Sequence, residues 1–239
     1  MPLWRRVAII FIVIVLALLV FFTLFRTETV LVSGNTRYSD EDIKSMCLDG
    51  ALSNNTFLFT VFKHRIELSD MPYLDHVDAE MIDNNTIHLS VEERISAGRI
   101  PFGGKIIYFD KNGNVLEIRE KDDEQDLTAV MIKDRVPDVE MIDVGDVIFE
   151  EEPEFLAVVS VLSGLLLQYE LVPDYVIIDE ENNITLVFGD TKILLGQDLF
   201  LEEKIARADA ILPDIQGTTG ILHMEDYTEA SKDIIFETQ

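Results

Sequence analysis

The amino-acid sequence predicts an α+β chain with an N-terminal transmembrane helix, and three observations carry this prediction. No charged residue interrupts the apolar run VAIIFIVIVLALLVFFTLF at 7–25. A pattern of strand, helix, helix, strand and strand follows over 27–98. From residue 99 onwards, short alternating runs separated by Asn-Gly and Gly-Asp turns indicate a mixed α/β domain dominated by antiparallel strands.

The apolar run has the length that a membrane span requires, since about 20 residues at 1.5 Å each cross the hydrocarbon core. Arg5 and Arg6 lie directly before it. Because basic residues favour the cytoplasmic side, they predict a short cytoplasmic tail at 1–6, with the rest of the chain outside the cell. A cleaved signal peptide is the alternative, but the run ends in FFTLFRTETV, which lacks the small residues of a cleavage site.

The first domain is predicted from turn and capping residues. A short β-branched run, VLVS, ends at a turn that contains Gly34, and Ser39 caps the helix that follows. The apolar residues of this helix lie on one face: Ile43, Met46 and Cys47. A lone cysteine in such a position is typical of a small core residue, and it excludes an intramolecular disulfide.

The same domain continues with a second short helix, predicted over 58–68 from the spacing of Phe59, Phe62 and Ile66. Pro72 then begins an extended segment, which a turn at 83–85 ends. A final strand alternates regularly, with its apolar residues on one face: Ile87, Leu89 and Val91.

The second domain is predicted over 99–226. A hairpin, KIIYFDKNGNVLEI, carries Asn112-Gly113 at a type I′ turn. The apolar run 153–169 is too short for a second span and indicates a buried helix. An amphipathic helix, FLEEKIARADAIL, is expected to end at Pro213 and Gly217. The final strand is GILHMEDY, and 227–239 are predicted to be a partly ordered tail.

Composition and motifs argue against catalysis and against nucleic acid. The chain has 239 residues and a formal net charge of -26, which repels phosphate backbones. No sequence typical of a nucleophile, a zinc site or a phosphate loop is present. The hairpin at 105–118 fails as a calcium loop, because Val115 and Lys121 occupy the positions that need Gly and Glu. We therefore expect neither a cofactor nor a metal.

Several segments, in their order, resemble the FtsQ/DivIB family of bacterial cell-division proteins. VLVSGN and YSDEDI look like the opening of that family's POTRA domain. MPYLDHVDAEMI, with Pro72, and NTIHLSVEER, ending in Glu93 and Arg94, resemble its later strands. YFDKNGNVL and ILLGQDLFLEEKIARADAIL are similar to the start and the late helix of its β-domain.

The resemblance implies a non-enzymatic, single-span scaffold of the division septum. Its partners would be FtsL and DivIC/FtsB-type coiled-coil proteins, and through them an FtsW-type glycosyltransferase and a penicillin-binding transpeptidase. An exported POTRA-type binding or chaperone module remains the alternative. A membrane-tethered hydrolase is a further alternative, which would need a pocket with convergent acids.

A docking site is predicted at the final strand, because an edge strand offers unpaired N–H and C=O groups to a partner. Alternation places Leu222 and Met224 towards the core. The partner-facing residues would be Ile221, His223, Glu225 and Tyr227. An ordinary closing strand with a solvated edge is the competing interpretation.

Overall fold

The structure is a computed structural model, which describes residues 2–48, 50–62, 71–120, 129–228 and 234–238. The chain forms two compact units, Met1–Arg94 and Ile95–Gln239. Each unit has its own hydrophobic core.

The first unit begins with helix α1 (Leu3–Leu24), which has a mean hydropathy of 3.4 over its most apolar stretch and buries none of its residues. A helix that is apolar all round and uncovered by protein is stable in lipid. Its hydroxyl at Thr23 donates a hydrogen bond to the Leu19 carbonyl, which removes the cost of carrying that group into a bilayer. The helix therefore fits a membrane anchor, and it extends back through Arg5 and Arg6 to Leu3.

The rest of the first unit follows the predicted order of strand, helix, helix, strand and strand, which is confirmed. Its elements are β1 (Thr29–Ser33), α2 (Asp40–Cys47), a 3₁₀ turn (Ala51–Asn54), α3 (Thr56–Phe62), β2 (Leu74–Met81) and β3 (Thr86–Glu93). The sheet order is β1-β3-β2, with β1 parallel and β2 antiparallel to β3. The predicted face of β3 is buried, because Ile87, Leu89 and Val91 pack against α2 and α3 in one core.

In its described residues, the second unit is a larger mixed sheet with two helices. Its strands are β4 (Gly98–Phe102), β5 (Lys105–Phe109), β6 (Val115–Glu120), β7 (Val130–Lys133), β8 (Tyr175–Ile178), β9 (Ile184–Phe188), β10 (Thr191–Gly196), β11 (Gly220–His223) and β12 (Ile235–Thr238). Its helices are α4 (Pro153–Gln168) and α5 (Leu201–Ile215). The strand order is β12-β11-β10-β9-β8-β7-β4-β5-β6.

Both helices of the second unit share one core with the sheet. The buried face of α5 is the predicted one: Leu201, Ile205, Ala208 and Leu212. Helix α4 is buried as predicted, through Phe155, Leu162 and Leu166. Because α5 connects β10 to β11, these two strands run parallel while their neighbours β9 and β12 run antiparallel to them.

The second helix predicted in the first domain is seen as α3 from Thr56, and the part of that prediction beyond Phe62, with Ile66, lies outside the described residues. One predicted helix end differs in the structure. Helix α5 contains Pro213 and continues to Ile215. A proline this close to the C-terminus removes one hydrogen bond, and the buried contacts of the last turns hold the helix in spite of that loss.

The predicted type I′ turn between β5 and β6 is wrong. Gly113 has a φ of 81°, whereas Asn112 keeps a negative φ. The Asp110 carboxylate accepts hydrogen bonds from the backbone N–H groups of Asn112 and Asn114, at 2.8 and 2.9 Å. This aspartate holds the turn in a form that needs only one residue with positive φ.

Candidate docking edge

The candidate site is the C-terminal edge of the large sheet, which β11 and β12 form. In β11, Leu222 lies opposite Ile193 of β10 on one side and opposite Phe236 of β12 on the other. The prediction that GILHMEDY is the edge strand is therefore wrong. β12 takes that place, and its other side meets no further strand within the described residues. The signal was present in the β-prone run at 234–236, Ile-Ile-Phe.

Gly220 permits this last pairing. A Cβ atom at Gly220 would lie 2.5 Å from Phe236 Cζ and 2.6 Å from the Glu237 carbonyl oxygen, distances that no side chain tolerates. Phe236 covers the space above Gly220 and packs against the core of the large sheet. The attachment of β12 thus depends on the absence of a side chain one strand away, which sequence periodicity does not reveal.

The faces of β11 follow the predicted alternation up to the end of the strand. Leu222 and Met224 are buried, Ile221 and His223 are half-buried, and Glu225 is exposed. Tyr227 does not face outward as predicted, since only 8% of it is exposed.

The reason for the burial of Tyr227 is that the chain turns after Met224, where strand alternation stops. The Tyr227 N–H donates to the Met224 carbonyl. Its hydroxyl accepts a hydrogen bond from Arg207 Nε of α5 at 3.0 Å, and its ring meets Phe200 edge to face. Tyr227 therefore ties the turn to α5 and is not available to a partner.

Three titratable groups meet across the last two strands. His223 Nδ1 lies 2.8 Å from Glu225 Oε1, and His223 Nε2 lies 3.4 Å from Glu237 Oε2. The hydrogen bond with Glu225 raises the pKa of His223 against the opposing effect of burial, and Glu237 adds to the rise. Burial raises the pKa of Glu225, but the hydrogen bond with His223, backbone hydrogen bonds and the charge of His223 together outweigh it, so the net shift is downward.

A second carboxylate organises the first unit. Glu93, at the end of β3, accepts hydrogen bonds from the Thr36 hydroxyl and from the backbone N–H groups of Arg37 and Tyr38. Burial raises the pKa of Glu93, but these hydrogen bonds together outweigh it and lower the pKa below its ordinary value. The loop between β1 and α2 is thereby fixed to the central strand of its sheet.

The other residues singled out in the first unit occupy the same region. A Cβ atom at Gly34, whose φ is 89°, would lie 2.2 Å from the Val91 carbonyl oxygen. Ser39 forms a reciprocal capping box with Asp42. Arg94 pairs with Asp75 at 3.2 Å, and Pro72 lies in the turn before β2.

The remaining chemistry is sparse. Among the described residues, no group of three His, Cys, Asp or Glu side chains has a metal-binding arrangement. Burial raises the pKa of the Cys47 thiol to about 11, so this cysteine is an inert core residue. Lys204 was not predicted as a buried residue, yet its ammonium donates to the carbonyls of Leu195 and Gln197 and holds the end of β10.

Comparison with known proteins tests the family expectation. Residues 25–94 match the model of the FtsQ-type POTRA domain. The chain is 28% identical over 195 residues to the cell division protein DivIB of Clostridium tetani. The aligned residues cover 79% of this chain and 70% of that protein. These two matches support the FtsQ/DivIB family. The resemblance predicted from the sequence is thereby confirmed.

FtsQ/DivIB proteins are non-catalytic division proteins, and their interactions lie within the division complex. The comparisons accordingly support a role in cell division for this chain. The apolar helix α1 fits a membrane-anchored division protein. The first unit after the anchor is the POTRA domain of the family.

Proposed function

We propose that this chain is a non-enzymatic, single-span scaffold of the division septum that docks FtsL and DivIC/FtsB-type proteins at the free edge of β12. One observation carries the proposal: β12 is paired with β11 on one side, and its opposite side meets no described strand. Such an edge offers backbone N–H and C=O groups to which a partner strand can hydrogen-bond.

The side chains around this edge indicate which kind of partner segment would bind there. Ile235 is 66% exposed at the start of β12, so an incoming strand gains an apolar contact beside it. Glu225, Asp226 and Glu237 lie near the same strands, and the chain carries a net charge of -26. A partner segment with basic residues flanking a β-prone apolar stretch therefore fits the edge.

The test is capture of a purified FtsL/DivIC-type pair by the full chain in detergent. Ile235→Asp places a charge where the partner strand would pack, and we expect at least a tenfold loss of affinity, about 1.4 kcal/mol. Val161→Asp is the matched control, because Val161 is 55% exposed on α4 of the same unit. Deletion of 234–239 is expected to abolish capture.

The proposal would be overturned if the Ile235→Asp and Val161→Asp variants captured the pair equally well and the variant lacking 234–239 captured it as well as the wild type. Loss in both point variants would mean that the change of charge, and not the edge, weakens binding.

We further propose that the N-terminus with Arg5 and Arg6 is cytoplasmic and that both folded units lie outside the cell. Docking would then contribute to the regulation of septal peptidoglycan synthesis by the FtsW-type glycosyltransferase and its transpeptidase. A fluorescent fusion is expected to concentrate at midcell. A uniform signal around the cell would favour the exported binding module instead.

A further inference from the structure

The membrane anchor is joined to the POTRA domain by contacts on several sides. The Thr56 N–H, at the start of α3, donates to the Phe25 carbonyl at 2.8 Å. The Asn85 side chain, from the turn between β2 and β3, donates to the Arg26 carbonyl at 2.8 Å. The end of α1, the start of α3 and the β2–β3 turn therefore meet at one place.

An aromatic cluster fixes the depth of α3 relative to the anchor. The Phe57 ring lies 5.8 Å from the Phe21 ring and 5.7 Å from the Phe25 ring, measured between centroids. Phe21 belongs to the apolar span and precedes its last residue, Leu24, by nearly one turn. A side chain that touches Phe21 lies at the boundary between headgroups and acyl chains once the anchor is inserted.

The uncovered face of α3 has the composition of a lipid-facing helix. Its sequence, TFLFTVF, contains no charged residue. Thr56 and Phe59 face the core, whereas Phe57 is 41% exposed and Val61, one turn later, is 52% exposed. A helix with one face in water carries polar residues there, and this helix carries Phe and Val.

The β2–β3 turn adds an apolar side chain at the same end of the sheet. Ile82 is 59% exposed, although turns in contact with water are normally polar. Its N–H donates to the Thr86 carbonyl, and Thr86 begins the strand whose preceding residue, Asn85, holds the anchor. The far end of β3 is different, since Glu92 is exposed there.

We propose that the POTRA domain rests on the lipid bilayer, with Phe57, Val61 and Ile82 inserted at the boundary between headgroups and acyl chains. The occupant of this apolar surface is the bilayer, because the surface is continuous with the anchor through the Phe21, Phe25 and Phe57 rings. The domain then stands at a fixed height and orientation on the membrane. This role is independent of the docking proposed for β12.

The test uses the full chain reconstituted in phosphatidylcholine vesicles whose acyl chains are brominated near the headgroup end. The single tryptophan, Trp4, is replaced by phenylalanine, and one tryptophan is introduced as Phe57→Trp, Ile82→Trp or Glu92→Trp. Glu92→Trp is the control, because six residues of strand place it about 20 Å beyond Thr86.

We expect tryptophan at 57 and at 82 to emit at shorter wavelength than tryptophan at 92, and to be quenched several-fold more strongly by the brominated lipid. The proposal would be overturned if quenching at 57 and 82 were no stronger than at 92, whether quenching is weak or strong at all three positions. Far-ultraviolet circular dichroism of each variant verifies that the fold is retained. Because no division protein is present, failure of docking at β12 cannot affect this result.

Discussion

Two regions, the POTRA sheet and the C-terminal edge of the large sheet, are each stabilised internally by the same two features. One is a glycine packed closely against a neighbouring strand, and the other is a glutamate that holds a loop or strand. In the POTRA domain, Gly34 lies against Val91, and Glu93 binds N–H and hydroxyl donors. At the edge, Gly220 lies under Phe236, and the glutamates Glu225 and Glu237 share a histidine.

The difference lies in the donors. Backbone N–H groups and the Thr36 hydroxyl do not titrate, so the Glu93 junction changes only when Glu93 itself is protonated. The hydrogen bond with Glu225 raises the pKa of His223 above its ordinary value, so the contact between β11 and β12 contains both an acidic and a basic group that titrate. We infer that the Glu93 contact weakens only in acid, whereas the contact between β11 and β12 weakens both in acid and in alkali.

The largest effect is expected from Gly34→Ala. The new Cβ would lie 2.2 Å from the Val91 carbonyl in a backbone with φ of 89°, which predicts a loss of about 3 kcal/mol in the free energy of unfolding of the POTRA domain. Alkylation of Cys47 during a urea titration in detergent measures this, because the thiol is buried in that core.

Gly164→Ala is the control for this substitution. The site lies in α4 with nothing within 4 Å of the added Cβ, so the substitution should stabilise α4 by about 0.5–1 kcal/mol. It should leave unchanged the urea concentration at which half of Cys47 is alkylated, which we call the Cys47 midpoint. If both glycine variants have the wild-type Cys47 midpoint, the β1–β3 junction does not depend on Gly34.

The next effect is expected from Glu93→Gln, which keeps the shape and removes the charge. The loss of charge-assisted hydrogen bonds predicts a cost of about 2 kcal/mol, again measured by Cys47 alkylation. Since folding lowers the pKa of Glu93, its contribution is present above the ordinary pKa of a glutamate and is lost as pH falls through the lower, folded value. The variant should therefore lack the corresponding acid-dependent loss, and an identical acid profile would contradict this account.

A smaller and local effect is expected from Gly220→Ala. Displacement of Phe236 should detach β12 at a cost of about 1–2 kcal/mol, seen as faster hydrogen exchange at the amides of 235–238. Because the POTRA core is a separate unit, the Cys47 midpoint should not move. Unchanged exchange in β12 would mean that the edge tolerates a side chain at Gly220.

The smallest effect is expected from His223→Gln. Folding raises the pKa of His223, so its stabilisation is complete below the ordinary pKa of histidine and is lost as pH rises through the higher, folded value. Glu225 has the opposite dependence, with its contribution lost as pH falls.

Wild-type β12 should therefore be most protected from hydrogen exchange, after correction for intrinsic rates, between these two limits. In the His223→Gln variant, the protection of β12 should no longer decline as pH rises on the alkaline side. A wild-type profile that shows no decline as pH rises above the ordinary pKa of histidine would show that the histidine does not stabilise the pairing of β11 with β12.

Local patterns in the sequence were sufficient for the anchor, the order of elements in the POTRA domain and the amphipathic face of α5. Each of these depends on neighbours a few residues apart, such as the capping of α2 by Ser39 or the alternation of Ile87, Leu89 and Val91 in β3. The overall charge and the single cysteine likewise follow from composition alone.

Tertiary structure decided which strand is the edge and which side chains are accessible there. β12 forms because Gly220 leaves room for Phe236, and Tyr227 is buried because the chain turns towards Arg207 of α5. Contacts between segments far apart in the chain leave no periodic signal, since they depend on how finished elements meet. The sequence by itself determined the parts and their order, and the packing of those parts determined the surface that they leave open.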